Sequence, residues 1–228
     1  MILCIADILP AALLEEARAV FARGRFIDGK QTAGWHAKAV KNNLQLDGAQ
    51  PAIKPLQEKI IAALWAHDLV RISALPKTFR PLLFSRYETS MSYGRHVDDA
   101  LMGGIEGMQS LQTRTDVSFT IFLSAPEEYT GGELVMESAP GEQSYKLPVG
   151  YAVFYPSTTL HRVNEVTSGA RHAVVGWLQS LVSDAGKREM LFELDGVRRA
   201  IFQREGKSAE FDTLSKVYSN LLRAWAEA

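Results

Sequence analysis

The sequence predicts a mainly β domain, a sandwich or jelly roll, flanked by helices at both ends of the chain. Short strand-like runs rich in β-branched and aromatic residues follow one another between residues 79 and 180, separated by turn signals. Two helical patterns precede this region and two follow it. The chain has 228 residues, which is enough for one substantial domain with additions.

The first part of the chain predicts one strand and two helices. A brief apolar run from Met1 to Asp7 indicates a buried strand, because it lacks the basic segment of a signal peptide. Apolar residues at helical spacing predict helices over 10–23 and 51–67, and Gly24 ends the first. The glycine-punctuated stretch between them is interpreted as loop and short strand. Helices that precede a strand-rich region usually brace the outside of a sheet.

The strand-rich region is followed by a helical tail. Strands are predicted over 81–87, 116–123, 133–136, 144–147, 151–155, 161–166 and 171–179, with turns at Gly131-Gly132 and Ser168-Gly169. Helical patterns return over 184–203 and 211–226, and their apolar residues predict packing on the barrel or on a second subunit. We therefore divide the chain into a domain over 1–180 and a helical extension over 181–228.

Composition excludes several classes of protein. The 25 basic and 26 acidic residues give a net charge of −1, which offers no surface for bulk nucleic-acid or anionic-membrane binding. No run approaches the roughly 20 apolar residues that a membrane span needs. Cys4 is the only cysteine, so no internal disulfide can form, and a reducing, cytoplasmic location is expected. The oligomeric state stays open, and a homo-oligomer is compatible with the sequence.

A short polar motif follows the predicted strand over 81–87. His96 and Asp98 are two residues apart, so on an extended segment both side chains point to the same side. An imidazole and a carboxylate suit divalent iron, but two ligands do not hold a catalytic metal firmly. We therefore expect a third ligand further along the chain.

His161 is the best candidate for that third ligand, and Arg171 comes ten residues later. Two histidines and one carboxylate on one face of a metal leave the opposite face open for a chelating organic acid. An arginine fork suits the distal carboxylate of such an acid. This order of residues is the arrangement of Fe(II)/2-oxoglutarate dioxygenases. Arg171 shares one face of its predicted strand with Ala173, Val175 and Trp177, which is consistent with the floor of a barrel pocket.

Other residues compete for these roles or extend them. Asp99 is an alternative to Asp98, and His172 to His161, although His172 lies on the opposite face of its strand from Arg171. Tyr87 is either a phenol beside the co-substrate or a core tyrosine with its hydroxyl satisfied. Lys146 is an alternative anchor to Arg171. The segment Lys41-Asn42-Asn43 either touches substrate or forms a polar turn.

The sequence also resembles the bacterial PKHD-type hydroxylases, of the prolyl/lysyl hydroxylase class, over nearly its whole length. The residues that carry the resemblance are Lys41-Asn-Asn43, Arg86-Tyr87, Met91-Ser-Tyr-Gly-Arg-His-Val-Asp98, Arg114-Thr-Asp-Val-Ser118, Tyr129-Thr-Gly-Gly-Glu-Leu134, Lys146-Leu-Pro-Val-Gly150, Tyr155-Pro156, His161-Arg-Val163, Trp177-Leu-Gln-Ser180 and Lys187-Arg-Glu-Met-Leu-Phe-Glu-Leu194. One departure is Ser90, where the family often has glycine, and it affects the local turn.

The resemblance implies a double-stranded β-helix that uses iron, 2-oxoglutarate and O2, with ascorbate as reductant. It also implies that His96, Asp98 and His161 are the metal ligands and that Arg171 holds 2-oxoglutarate. The expected activity is hydroxylation of a peptidyl proline or lysine, a free amino acid or a siderophore-like small molecule, with 2-oxoglutarate converted to succinate and CO2. Because Asp98 is present, hydroxylation is favoured over halogenation, which usually needs that carboxylate to be missing.

A second class of function stays open from the sequence. A non-catalytic iron or small-molecule binder, such as a sensor on a cupin-like barrel, would also use a metal site but would not need Arg171. The loop Ala100–Thr113 contains glycines and methionines directly beyond two predicted ligands. It is either a substrate lid or a long connection.

Overall fold

Two antiparallel β-sheets face each other, and helices cover the outer side of the larger one. The computed structural model describes residues 1–103 and 112–227. Its helices are α1 (Ala11–Arg23), α2 (Ile53–Ala66), α3 (Asp68–Ala74), α4 (Ala185–Glu205) and α5 (Ala209–Trp225). Its strands are β1 (Leu3–Ile5), β2 (Phe26–Asp28), β3 (Lys41–Asn42), β4 (Leu44–Leu46), β5 (Pro76–Phe79), β6 (Leu83–Tyr87), β7 (Ser92–His96), β8 (Leu101–Met102), β9 (Thr113–Arg114), β10 (Val117–Phe122), β11 (Tyr129–Gly131), β12 (Leu134–Ser138), β13 (Gly141–Tyr145), β14 (Ala152–Pro156), β15 (His161–Val163), β16 (Val166–Gly169) and β17 (Arg171–Ser180).

The larger sheet has the strand order β1-β14-β10-β17-β6-β4-β2, and β5 pairs with β17. Side-chain alternation along its central strand separates two surfaces. On β10, Phe119 and Ile121 face the helices and are completely buried, whereas Ser118 and Thr120 point to the other side. The sheet therefore presents an apolar surface to the helices and a partly polar surface to the space between the sheets.

The N-terminal helices brace the outside of this sheet, as the sequence predicts. Phe21 of α1 packs with its ring centroid 5.9 Å from that of Phe84 on β6. Leu56 and Ile60 of α2 belong to the same buried cluster. Full burial of one such side chain stabilises the fold by about 1.5–3 kcal/mol. The apolar faces of these helices thus pack on the outer face of the larger sheet and stabilise it.

The smaller sheet has the order β13-β12-β15-β7-β3 and closes the front of the barrel. A second apolar cluster joins the two sheets, because it contains Met136 and Val163 from the smaller sheet and Phe122 and Val153 from the larger. Two facing antiparallel sheets of this kind form a jelly roll, the predicted fold class. The predicted site motif lies on β7, between these layers.

The structure corrects several predicted element boundaries. The run over 161–166 is two strands, β15 and β16, because β15 pairs with β12 and β7 while β16 turns away to pair with β11. Ser168 and Gly169, predicted as a turn, belong to β16. The short α3 was not predicted, since seven residues give too little periodicity to identify.

Ser90 adopts the left-handed backbone conformation, with φ of 68°. This conformation favours glycine, so the departure from the family pattern leaves the turn in place at some cost in strain. Two contacts hold the turn: the Ser90 amide donates to the Val166 carbonyl at 2.8 Å, and the Asn42 amide donates to the Ser90 carbonyl at 3.0 Å.

The C-terminal helices pack on each other and on α3, although less of their apolar surface is buried than predicted. Leu191 is buried, whereas Met190 and Val197 are more than half exposed. At 21 residues α4 is long, yet within the described ranges no helix combines the length and the apolar content needed to cross a bilayer. Packing on a second subunit remains a prediction.

Arg188 is the main polar attachment of α4 to the barrel. Its guanidinium is buried and donates to the carbonyls of Val182 at 2.7 Å, Ser183 at 2.8 Å and Asp116 at 3.2 Å. These carbonyls lie where β17 ends and where β10 begins. Arg188 therefore satisfies backbone acceptors that the junction would otherwise leave buried without donors.

Replacing Arg188 with methionine is expected to lower the free energy of unfolding by about 2–3 kcal/mol, because it leaves charge-assisted hydrogen bonds unmade. Urea unfolding followed by circular dichroism measures this loss. The matched control is Arg223→Met, since Arg223 is exposed on α5 and donates to Asn220 alone among the side chains described. Equal stabilities of the two variants would contradict the assigned role of Arg188.

Candidate functional site

The structure brings His96, Asp98 and His161 together. His96 and His161 are cross-strand partners on β7 and β15, with their ring centroids 4.2 Å apart. Asp98 follows two residues after the end of β7 and points to the same side. One ligand atom from each residue lies within 4.8 Å of the others, and within residues 1–103 and 112–227 no other cluster of this kind occurs.

Backbone carbonyls orient both imidazoles. Nδ1 of His96 lies 2.8 Å from the Gly94 carbonyl, and Nδ1 of His161 lies 2.9 Å from the Thr159 carbonyl. A carbonyl can only accept, so each Nδ1 carries the proton and each Nε2 keeps its lone pair. This is the arrangement in which metal-binding histidines are usually held. The Nε2 of His161 accepts from the Tyr155 hydroxyl at 3.3 Å.

Asp98 is fixed by a hydroxyl pair in the floor of the site. Ser118 Oγ donates to Asp98 Oδ2 at 2.6 Å and lies 2.8 Å from Ser157 Oγ. The same carboxylate oxygen is 3.9 Å from His161 Nε2. One carboxylate oxygen is thus oriented by Ser118 from behind while it faces both histidines.

Burial keeps His96 neutral. It lowers the pKa of His96 to about 4, an effect that His161 strengthens and that Gly94 and Asp98 oppose. The Tyr93 ring stacks on the His96 ring with centroids 3.6 Å apart, which helps to exclude water from it. At neutral pH the imidazole therefore offers a lone pair rather than a proton, as a metal ligand must.

Arg171 is almost completely buried, at 1% exposure, and lies in the same part of the barrel interior as the three ligand residues. It is the cross-strand partner of Tyr87, and its guanidinium lies 5.3 Å from the centre of that ring. Arg171 belongs to none of the ion pairs formed by residues 1–103 and 112–227. Its Nε has no hydrogen-bond partner in that part of the chain. Such a buried cation is costly unless an anion meets it.

Two phenols lie beside this guanidinium. Tyr87 is buried, and burial raises its pKa to about 12 although the Arg171 charge opposes the shift. The hydroxyl of Tyr129 is buried and has no hydrogen-bond partner among the described residues. Both phenols keep their protons at neutral pH and can donate to an anion held by Arg171.

One cavity of about 440 Å³ is lined by the three ligand residues, Arg171 and Tyr87, whereas Tyr129 does not line it. Its volume is in the range of small-molecule sites. The lining side chains come from both sheets and from neighbouring segments, and they include Thr32, Lys41, Gln45, Arg80, Tyr87, Tyr93, His96, Asp98, Asp99, Met102, His161, Arg171, Val175 and Trp177. Of the β17 residues predicted to share one face, Arg171, Val175 and Trp177 line the cavity, whereas Ala173 does not.

The competing residues lie elsewhere or are engaged otherwise. His172 is on the helix side of β17, with its ring centroid 4.9 Å from that of Phe21. Asp99 is exposed at the rim, 3.9 Å from His36 Nε2. Lys146 donates to the Tyr129 carbonyl at 2.7 Å and does not line the cavity. None of the three belongs to the cluster of ligand atoms.

Protonation of His172 makes the stability of the fold depend on pH. Burial lowers its pKa to about 4, and the Arg86 charge adds to the shift. Because its ordinary value is 6.5, the unfolded chain binds more protons than the folded chain between pH 6.5 and 4, and stability falls as the pH falls through this window. We expect His172→Gln to lose less stability than the parent as the pH falls, measured as the free energy of unfolding in urea between pH 4 and 7. If this free energy changed with pH equally in the variant and the parent, the role of His172 would be contradicted.

Sequence reasoning missed several neighbours of the site. Lys41, interpreted as either a substrate contact or part of a polar turn, is buried in the cavity wall on β3. No role in holding the ligands was predicted for Tyr93 or Ser118, although each contacts a predicted ligand. Strand parity does not identify Tyr93, because residues three apart on a regular strand point to opposite faces. An irregularity in the pairing of β7 with β15 lies between Tyr93 and His96, and the two rings stack. No sequence signal identifies Ser118, since it lies twenty residues beyond Asp98 on another strand.

The lid interpretation of Ala100–Thr113 concerns residues that lie mostly outside the described ranges. Residues 104–111 are among those not described. The ends of the segment are described: β8 pairs with β9, and Met102 and Gly103 line the cavity.

Family models match two parts of the chain. Residues 82–179 match the 2OG-Fe(II) oxygenase superfamily. Residues 185–227 match the PKHD-type hydroxylase C-terminal domain. The first match contains all four residues predicted to bind metal and 2-oxoglutarate.

Curated relatives match over the full length. A PKHD-type hydroxylase of Acaryochloris marina is 53% identical over 227 residues, covering 100% of both chains. A PKHD-type hydroxylase of Crocosphaera subtropica is 51% identical over 227 residues, again covering 100% of both. One from Synechococcus elongatus is 52% identical with the same coverage.

Solved structures share the fold at much lower identity. A prolyl-4-hydroxylase of Pseudomonas putida matches with a TM-score of 0.52 and 20% identity, covering 78% of this chain and 92% of that one. A prolyl hydroxylase of Trichoplax adhaerens, in complex with a hypoxia-inducible factor peptide, matches with a TM-score of 0.55 and 14% identity, covering 83% and 86%. HygX of Streptomyces hygroscopicus, with nickel and 2-oxoglutarate bound, matches with a TM-score of 0.53 and 13% identity, covering 80% and 84%.

Proposed function

Because the chain belongs to the PKHD-type hydroxylase family and is a 2-oxoglutarate- and Fe(II)-dependent oxygenase, we propose that two histidines and an aspartate hold its iron. They are His96, Asp98 and His161, whose ligand atoms form the cluster described above. Two imidazoles and one carboxylate fit ferrous iron and leave coordination positions for other ligands. We further propose that Arg171 anchors the distal carboxylate of 2-oxoglutarate.

The observation that carries this proposal is the buried Arg171 in the same cavity as the three ligand atoms. Its Nε and the Tyr129 hydroxyl both have no partner among the described residues. A carboxylate held in the cavity by Arg171 would neutralise the guanidinium. A simple iron store would not need a buried guanidinium at this position.

When bound, iron and 2-oxoglutarate supply the O2-dependent chemistry that hydroxylates a C–H bond and releases succinate and CO2. The protein contributes positioning. Gly94 and Thr159 hold the imidazoles, and Ser118 holds the Asp98 carboxylate. Tyr93 shields His96 from water. These contacts fix the direction of each donor atom before the metal binds.

We also propose a domain division, a reductant, a cellular location and candidate substrates. Residues 1–180 form the oxygenase domain and residues 181–228 form a helical extension, as the division between β17 and α4 suggests. Ascorbate serves as the reductant, and the location is cytoplasmic, supported by the single cysteine, Cys4. Candidate substrates are a peptidyl proline or lysine, a free amino acid and a siderophore-like small molecule.

Slow succinate formation without added substrate tests the proposal. The purified protein with Fe(II), O2 and ascorbate is expected to convert 2-oxoglutarate to succinate, because the iron and co-substrate sites are complete in this chain. Omitting ascorbate should shorten the time over which the rate is sustained. Under anaerobic conditions, chelation of iron by the 2-oxo acid should give a visible charge-transfer band. Absence of both the band and succinate would contradict the proposal and favour a non-catalytic binder.

A further inference from the structure

Lys41 is a second buried cation in the cavity, at 5% exposure. It lies on β3 as the cross-strand partner of Tyr93, and its Nζ is 5.1 Å from the centre of that ring. The other buried cation, Arg171, lies on β17 of the larger sheet, whereas β3 belongs to the smaller sheet. The two cations therefore enter the cavity from different sheets.

The surroundings of Lys41 do not neutralise it. Its ammonium donates to Thr32 Oγ1 at 3.2 Å, and Thr32 in turn donates to Gln45 Oε1 at 2.8 Å. Both partners are neutral, and none of the ion pairs within the described ranges includes Lys41. An ammonium has three donors, so this contact leaves donors for a ligand. Burial lowers the pKa of Lys41 to about 8, while the more distant Asp98 and Asp28 oppose the shift.

When iron and 2-oxoglutarate are bound, the charges inside the cavity balance except for the positive charge of Lys41. This step rests on the proposed function. The two charges of Fe(II) and the charge of Arg171 are balanced by Asp98 and by the two carboxylates of 2-oxoglutarate. At the rim, Arg80 is half-buried and donates to Thr113, and Asp99 is exposed beside His36, so solvent screens both charges. Lys41 remains as one buried positive charge facing the cavity.

We propose that Lys41 binds a carboxylate of the primary substrate, in a subsite separate from the 2-oxoglutarate anchor. A single ammonium beside a hydroxyl matches the unit charge and the acceptor oxygens of a carboxylate. The Tyr93 ring is close to both Lys41 and His96, so a substrate carboxylate held by Lys41 lies about one aromatic ring from the metal cluster. The substrate is therefore a molecule with a free carboxylate close to the C–H bond that is oxidised.

The test compares an anion with its neutral isostere. The protein is labelled with ¹³C in its lysine residues and in its methionine methyl groups, and binding is followed by NMR. Benzoate and benzamide are each titrated into the metal-free protein and into the protein with Zn(II) and saturating 2-oxoglutarate. Lys41→Arg identifies the Lys41 resonance, and the methyl group of Met102, which lines the cavity, reports binding in every variant. Lys38→Met is the matched control, because Lys38 is exposed nearby.

Benzoate is expected to shift the Lys41 resonance saturably and to bind about tenfold more tightly than benzamide in both states. Lys41→Met should remove that preference, whereas Lys38→Met and Lys41→Arg should retain it. Equal binding of the two probes, or an unchanged preference in Lys41→Met, would overturn the proposal. So would benzoate binding that saturating 2-oxoglutarate abolishes, since the anion would then occupy the co-substrate site. Failure of 2-oxoglutarate to bind would instead contradict the proposed function, and the metal-free titration would still decide the role of Lys41.

Discussion

Replacing Asp98 with alanine is expected to abolish succinate formation and to weaken Fe(II) binding by more than about a hundredfold, since loss of groups that merely support ligands already costs up to that much. The carboxylate faces both histidines and is the only charged donor of the cluster. Without it, two neutral imidazoles hold a divalent ion. The sheets should persist, because Asp98 lies after β7 ends and makes no strand pairing there. Iron content, succinate yield and circular dichroism are measured on the same sample.

The neighbouring carboxylate supplies the matched control. Asp99→Asn changes the charge by the same amount one residue away, and Asp99 belongs to the rim rather than to the cluster. This variant is expected to bind iron like the parent. His161→Ala should behave like Asp98→Ala. Full iron occupancy and turnover in either of those two variants would show that the proposed ligand set is wrong.

The sequence was sufficient to predict the mainly β fold and the grouping of the site residues, for identifiable physical reasons. Glycine turns and alternating apolar residues set the strands, and the two-residue spacing of His96 and Asp98 fixes their common direction. The same parity predicted that Arg171, Ala173, Val175 and Trp177 would share one face, and all of them except Ala173 line the cavity. These predictions depend on local geometry, which sequence spacing records directly.

What could not be predicted depends on pairing between distant segments. Lys41 enters the cavity only because β3 pairs with β7, fifty residues further along, and no local pattern specifies that contact. The division of 161–166 into β15 and β16 likewise follows from two different pairing partners. Met190 and Val197 show a helical apolar pattern yet stay exposed, because periodicity does not state how much of a stripe a neighbour covers.

Arg171→Met is expected to weaken 2-oxoglutarate binding by on the order of 2–5 kcal/mol, or about thirtyfold or more in Kd, with Fe(II) binding nearly unchanged. The guanidinium is buried, and we place it on the far carboxylate rather than on the metal. Anaerobic titration of the Fe(II) protein, followed by the charge-transfer band, measures the affinity. Lys146→Met is the control: Lys146 binds the Tyr129 carbonyl outside the cavity, so its loss should leave the affinity close to that of the parent.

The same variant separates a ligand-binding arginine from a structural one by the sign of its effect on stability. Arg171 is buried without an ion-pair partner among the described residues, so in the ligand-free protein its charge is a cost. Methionine fills similar space without that charge, and Arg171→Met should therefore unfold at a higher urea concentration than the parent when no 2-oxoglutarate is present. High 2-oxoglutarate should reverse the order, because the parent binds it more tightly and therefore gains more stability from it than the variant does. A variant that is less stable than the parent under both conditions would identify Arg171 as a structural residue. An unchanged co-substrate affinity would show that another group is the anchor.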